Sequence, residues 1–165
     1  MITAPIPDNE DLRLSALRQL LILDTPPEER FDRIVAFAAE EFDMPVALVS
    51  LVDSERTWFK SRIGTDLLEA PRDVSFCGHT ILQDAPFVVP DATLDVRFMD
   101  NPNVVHAPHV RFYAGVCLKL PSGQNVGALC LYDFKPREMD RVALAILATL
   151  RDLVVEQLVD KAAPV

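Results

Sequence analysis

The residue types that could do chemistry gather in the middle of the chain. Cys77 and His79 stand two apart, and His106 and His109 three apart. Thiolate and imidazole are zinc ligands, so a fold that brought both segments together would make a Cys/His metal site. The spacing matches no zinc signature, and local capping and packing is the competing account; no metal is expected. Cys117 and Cys130 each sit in an apolar run, where a cysteine serves as a small hydrophobe. Arg111 also opens such a run. A guanidinium on a central strand needs a partner. Asp91 or Asp133 is the expected one, and the pair is expected to brace the fold.

Around these residues stand the aromatic side chains Trp58, Phe59, Phe76, Phe98, Phe112 and Tyr113. Arg72, Ser75, Cys77, His79, Asp91, Arg97, Arg111 and Asp133 add polar groups. Apolar walls with few polar groups are what a small-molecule site requires. These residues, Phe112 excepted, are the candidate ligand-binding set, and no catalytic residue is expected. The sequence carries no P-loop, Gly-rich dinucleotide loop or HExxH helix.

The elements that must position this set follow from periodicity. Residues 1–9 read as a flexible lead, 10–160 as one domain and 161–165 as a tail. Apolar spacing predicts a helix over 10–23 and a second one carrying Phe31, Ile34, Val35, Ala38 and Phe42. Thr25 is the expected cap of the second helix, with Pro26 at its first position and Glu28 three residues on. Residues 45–53 (PVALVSLVD) read as a buried strand and 56–63 as its hairpin partner, followed by a loop over 64–73. Ser75 is expected to cap a short helix reaching Leu82. The prolines demote 86–90 to an edge strand, and 91–109 holds only short helical pieces.

Residues 110–120 and 125–134 form the second hairpin, turned at Ser122-Gly123. That turn pairs Cys117 with Ala128 and leaves Cys130 diagonal to Cys117, too far for a disulfide. Parity places Arg111, Tyr113, Gly115 and Cys117 on one face, and Phe112, Ala114, Val116 and Leu118 on the other. A final helix is expected over 137–159. Its seam Ala143, Leu147, Leu150, Val154 and Gln157 either pairs with a second chain or belongs to one wide stripe against the core. Two hairpins exclude a purely parallel sheet, so the fold class is α+β.

Composition narrows the function. The 165 residues carry 25 Asp+Glu against 16 Lys+Arg, net −9, and half are apolar. An acidic surface repels phosphate backbones and anionic lipid, so neither nucleic acid nor membrane is an expected partner. No apolar run is long enough to span a bilayer, and the first residues lack the pattern of a signal peptide. With three cysteines, an odd number, a cytoplasmic location is expected. The last helix suits a connector to a further domain, and the Ala-Ala-Pro-Val ending suits a natural stop equally well.

The segments ILDTPPEERFDRI (22–34), PVALVSLVD (45–53), RTWFKSRIG (56–64), SFCGHTI (75–81), VVPDATLDVRF (88–98), VRFYAG (110–115) and GALCLYD (127–133) stand in this order. Together they resemble the GAF domain family, as found near the N-termini of bacterial signalling proteins. The resemblance runs from about Leu12 to Leu158. It implies a GAF-like (PAS/profilin-like) central antiparallel sheet, with N- and C-terminal helices on one face and a ligand-pocket roof on the other. It also implies a sensory, regulatory and non-enzymatic role, a homodimer formed through the terminal helices, and an output domain or signalling partner.

GAF domains take cyclic nucleotides, haem, bilins, metabolites or metals, so the resemblance names no ligand or cofactor, and both stay unknown. His106 and Val116-Cys117-Leu118 depart from the family pattern near the expected pocket. Some free-standing GAF domains are free-methionine sulfoxide reductases that use three cysteines, which makes a thiol-dependent reductase the rival reading. Only Cys77 matches their motif. A ligand-free dimerisation scaffold is a further alternative.

Overall fold

The computed structural model describes residues 1–160; the expected tail over 161–165 lies outside the described residues. The chain runs α1 (Glu10–Gln19), α2 (Glu29–Glu41), β1 (Val46–Val52), β2 (Arg56–Ile63), β3 (Glu69–Pro71), α3 (Cys77–Thr80), β4 (Phe87–Val89), α4 (Pro102–Val105), β5 (Phe112–Lys119), β6 (Asn125–Asp133) and α5 (Arg141–Val159). The strands form one antiparallel sheet in the order β3-β2-β1-β6-β5-β4. β1, β5 and β6 are aliphatic and buried on both faces. Their alternation therefore divides the protein into two cores.

Ala47, Val49, Leu51, Phe112, Ala114, Val116, Leu118, Leu129 and Leu131 meet the helices, against Leu17, Phe31, Val35, Leu147, Leu150 and Val154. Val46, Leu48, Val52, Tyr113, Ala128 and Cys130 face the roof, with Phe76, Cys77, Phe87 and Phe98. The face assignment of β5 and the pairing of Cys117 with Ala128 match the expected register.

Several boundaries differ from the sequence reading. α1 stops at Gln19, because Leu21 and Asp24 turn into the left-handed region at φ 54 and 62. Thr25 does not cap α2. Its Oγ1 donates to the Ile22 carbonyl and accepts from Lys60, while Glu28, in extended backbone, precedes the helix. The last helix starts four residues later than expected. Asp140 caps it by accepting from the Ala143 N–H, and Arg137 instead donates to the carbonyls of Phe42 and Asp43. The loop over 64–73 holds the edge strand β3, paired with β2. Ser75 does not take the cap position of α3, which falls to Phe76, and the helix ends at Thr80; the Ser75 hydroxyl accepts from the Cys77 N–H at 3.1 Å in the turn just before it. The lead is docked instead of free: Ile2 donates to the Arg97 carbonyl at 3.0 Å, and the Met1 amino group meets Asp100.

The α5 seam resolves in favour of the core. Leu147, Leu150 and Val154 are buried against the sheet, leaving Val142 and Leu153 outside. β2 carries the main irregularity. A bulge opposite Val49/Ser50 inserts Lys60. Lys60 and Ser61 then both turn to α2, where Lys60 meets Glu28 at 2.7 Å and the Pro26 carbonyl at 2.6 Å, and Ser61 donates to Asp32.

Glu10 joins the lead of α1 to the roof side. Its carboxylate holds Arg13, which is buried and also reaches the Val52 carbonyl at 2.6 Å, and it pairs with Arg72. Burial pushes the Glu10 carboxyl up, but hydrogen bonds from Arg13 and Arg72 outweigh it and hold it at about 2. Its pKa is below that of an unfolded carboxylate. The stabilisation is therefore full above the unfolded value and is lost as pH falls toward 2. Glu10→Gln lowers stability near neutral pH by about 2 kcal/mol, because it strands a buried guanidinium. In urea unfolding the gap to the wild type closes on acidification. A gap that persisted in acid would exclude Glu10 as the titrating group.

Candidate ligand cavity

A cavity of about 150 Å³ lies between the roof and the β3 side of the sheet. β1 and β2 supply Val46, Leu48, Thr57 and Phe59; the β2–β3 connection supplies Thr65 and Leu67; Ser75, Phe76 and Tyr132 close it. Thr57 and Phe59 share one face of β2, and Trp58 points the other way into the helix-side core. Leu67 and Phe134 stand exposed at the edge. The Thr57 Oγ1 is buried with no hydrogen-bond partner among the described residues. Such a hydroxyl typically costs about 1–3 kcal/mol.

Beside the cavity the roof is an aromatic stack. Phe76 lies flat on Phe98 with centroids 4.1 Å apart, and Tyr113 stacks on its other side at 5.2 Å. Tyr113 fits because position 115 is glycine: a Cβ there would come within 2.2 Å of the Tyr113 hydroxyl. That hydroxyl meets Thr80 at 2.6 Å and donates to the Cys77 sulfur at 3.4 Å. Cys77 lies 3.7 Å from the Cys130 sulfur and 3.0 Å from the Ser50 hydroxyl. Hydrogen bonding from Cys130, then from Ser50 and Tyr113, holds the Cys77 thiol at about 7 although burial opposes it. Burial pushes Cys130 and Tyr113 well up and Cys117 up. Cys77, Cys130 and Tyr113 are all buried beneath the roof.

The structure brings some of the expected site residues together and scatters others. Phe59, Ser75 and Phe76 line the cavity. Phe98, Cys77 and Tyr113 back them. Trp58 and Phe112 face the helices, since neighbours on a strand cannot share a wall. Arg72 lines a separate groove with Thr3 and Ala4 and pairs with Glu10. His79 is packed on Phe87 and meets the Ile2 carbonyl at 3.1 Å, with its pKa lowered by burial. Arg97 pairs with Asp95 and lies over the Phe87 ring.

The expected partnership of Arg111 does not form. Its guanidinium donates to the Val104 and Val110 carbonyls. Asp91 instead caps the turn at Thr93, and Asp133 pairs with Arg137 at 2.7 Å. Arg111 lies one residue before β5, not on a central strand, and backbone carbonyls beside it take its guanidinium. His106 and His109 are exposed, and no group of three or more His, Cys, Asp or Glu side chains among the described residues could hold a metal. Thr57, Tyr132 and Thr65 were not in the expected set. Parity with Phe59 is the signal that points to Thr57; the placement of Thr65 depends on a loop.

Residues 26–158 match the model of the GAF domain family. The chain belongs to this family. The helix α1 lies outside the matched stretch. The chain is 44% identical over 137 residues to the cyclic di-GMP phosphodiesterase PA2567 of Pseudomonas aeruginosa. That match covers 83% of this chain and 23% of that protein, so the chain spans about a quarter of its relative. The GAF fold also superimposes on free methionine-R-sulfoxide reductase from Neisseria meningitidis with a TM-score of 0.63, at 16% identity and over 96% and 95% of the two chains. The GAF domain of an Acinetobacter phosphoenolpyruvate-protein phosphotransferase gives 0.62 at 16% identity, over 89% and 92%. At such identities the likeness is one of fold.

Two outcomes follow from this packing. All three thiols are buried, so an aromatic disulfide reagent labels them at the rate of unfolding. Fast labelling of one thiol in the native protein would show instead that the roof opens. Gly115→Ala forces Tyr113 off its partners and costs about 1–3 kcal/mol, read as a fall in Tm.

Proposed function

We propose that this GAF domain is a sensory module. The cavity under the roof takes a small molecule, and its occupancy is relayed to the helix layer and from there to an output domain. The observation that carries this reading is the double connection of β2. Thr57 and Phe59 line the cavity, and the next two residues, Lys60 and Ser61, are tied to Glu28 and Asp32 beside and in α2. A ligand that moves β2 therefore moves a helix on the opposite face. Its effect equals its difference in affinity for the two arrangements.

The helix layer is also the proposed dimer contact. Val142 and Leu153 of α5 and Phe37 of α2 are exposed at 68%, 43% and 52%. The phosphodiesterase named for the relative is about four times longer than the match, which suits a sensor domain attached to an output enzyme acting on cyclic di-GMP. The chain itself is read as non-catalytic. Its closest thiol pair is shut beneath the roof, whereas a thiol relay needs an accessible attacking thiolate. All three cysteines are free, which supports a cytoplasmic setting. No described helix is long and apolar enough to cross a membrane.

Native mass spectrometry of the purified chain tests the module. The expected result is a dimer carrying additional small-molecule mass. Val142→Glu with Leu153→Glu turns it into a monomer that keeps that mass. A bare monomer at high concentration overturns the sensory reading and favours a scaffold domain.

A further inference from the structure

The cavity offers no charge to a ligand. Its lining contains no Asp, Glu, Lys, Arg or His. Burying an anion there without a cation would be strongly unfavourable. The guanidinium flanking the lining residue Val110 is that of Arg111, and it is already held by the Val104 and Val110 carbonyls. Size is equally restrictive. An apolar cavity of about this volume admits benzene, so the space of about 150 Å³ between the walls suits a single ring.

Among the described residues the polar lining side chains are Thr57, Thr65, Ser75, Asn103 and Tyr132, and Thr57 is the one with a buried, unpartnered polar atom. Ser75 Oγ accepts from the Cys77 N–H at 3.1 Å, and Thr65 Oγ1 accepts from the Leu67 N–H at 3.2 Å. Thr57, only 1% exposed and on the cavity face of β2, has an unpartnered hydroxyl. Its neighbour Phe59 and the roof residue Phe76 provide flat apolar walls.

We infer that the cavity binds a neutral molecule the size of a single ring, bearing one polar atom that hydrogen-bonds the Thr57 hydroxyl. This inference rests on the sensory reading of the same cavity. It names a ligand class that excludes anionic nucleotides. A hydroxyl both donates and accepts, so a phenolic or amide group satisfies it.

Phenol and toluene are matched probes, equal in size and differing in one polar atom. Amide NMR of the full chain follows each titration, with Thr57→Val as the isosteric variant. That change removes an unpartnered hydroxyl and should leave the fold intact. Thr57→Ser retains the hydroxyl as a second control. The expected result is phenol binding roughly tenfold weaker in Thr57→Val, with binding retained in Thr57→Ser. Toluene binding is unchanged or tighter in Thr57→Val. The shifts centre on Thr57, Phe59, Ser75 and Phe76.

Equal phenol affinity in wild type and Thr57→Val overturns the polar anchor and leaves the cavity as a ligand site. Shifts of the same residues by cyclic GMP overturn the neutral ligand class alone. Silence from both phenol and toluene overturns this inference together with the cavity reading beneath it.

Discussion

Everything in this fold depends on the strict alternation of strands that are buried on both faces. β1 has no exposed position over its length. Ala47, Val49 and Leu51 must meet helices while Val46, Leu48 and Val52 meet the roof. A slip of one residue against β2 or β6 would exchange the two sets and bring small residues to where large ones fill space. Neither core can therefore repack without the other. The helix layer and the roof share one sheet.

The bulge in β2 gives that rigidity a direction. Before it, successive side chains alternate between cavity and helix. At Lys60 the extra residue sends two consecutive side chains to α2. A buried ammonium is costly unless it is paired and hydrogen-bonded. Glu28, Thr25 and the Pro26 carbonyl meet that need together. The segment before α2 is thus held by a charge that belongs to the cavity strand.

Several residues that look reactive in isolation are structural in place. Cys77 and Cys130 lie in contact in the roof-side core, and the Ser50 hydroxyl meets both sulfurs. His79 and Arg97 finish the aromatic roof where the lead segment crosses it. The acidic surface and the neutral cavity are separate features. The net charge of −9 governs what approaches the protein. The lining of the cavity carries no charged side chain.

The periodicity of the sequence by itself determined the α+β class, the two hairpins and the faces of β5. It also placed Cys117 opposite Ala128, although the connection is a three-residue turn over Pro121-Ser122-Gly123 whose extra residue is taken up by a register shift at Leu118/Lys119. Local signals failed where distant groups competed. Thr25 and Pro26 have the form of a helix start, yet Lys60 takes both, and the helix begins beyond them. Arg111 has carboxylates available in the sequence, but the fold brings carbonyls to it. Trp58 and Phe59 are equally aromatic, and only their opposite parity decides which one meets the cavity. The site was legible as a neighbourhood of residue types. Its lining was decided by tertiary structure, because a cavity is what remains between surfaces placed by contacts far apart in the chain.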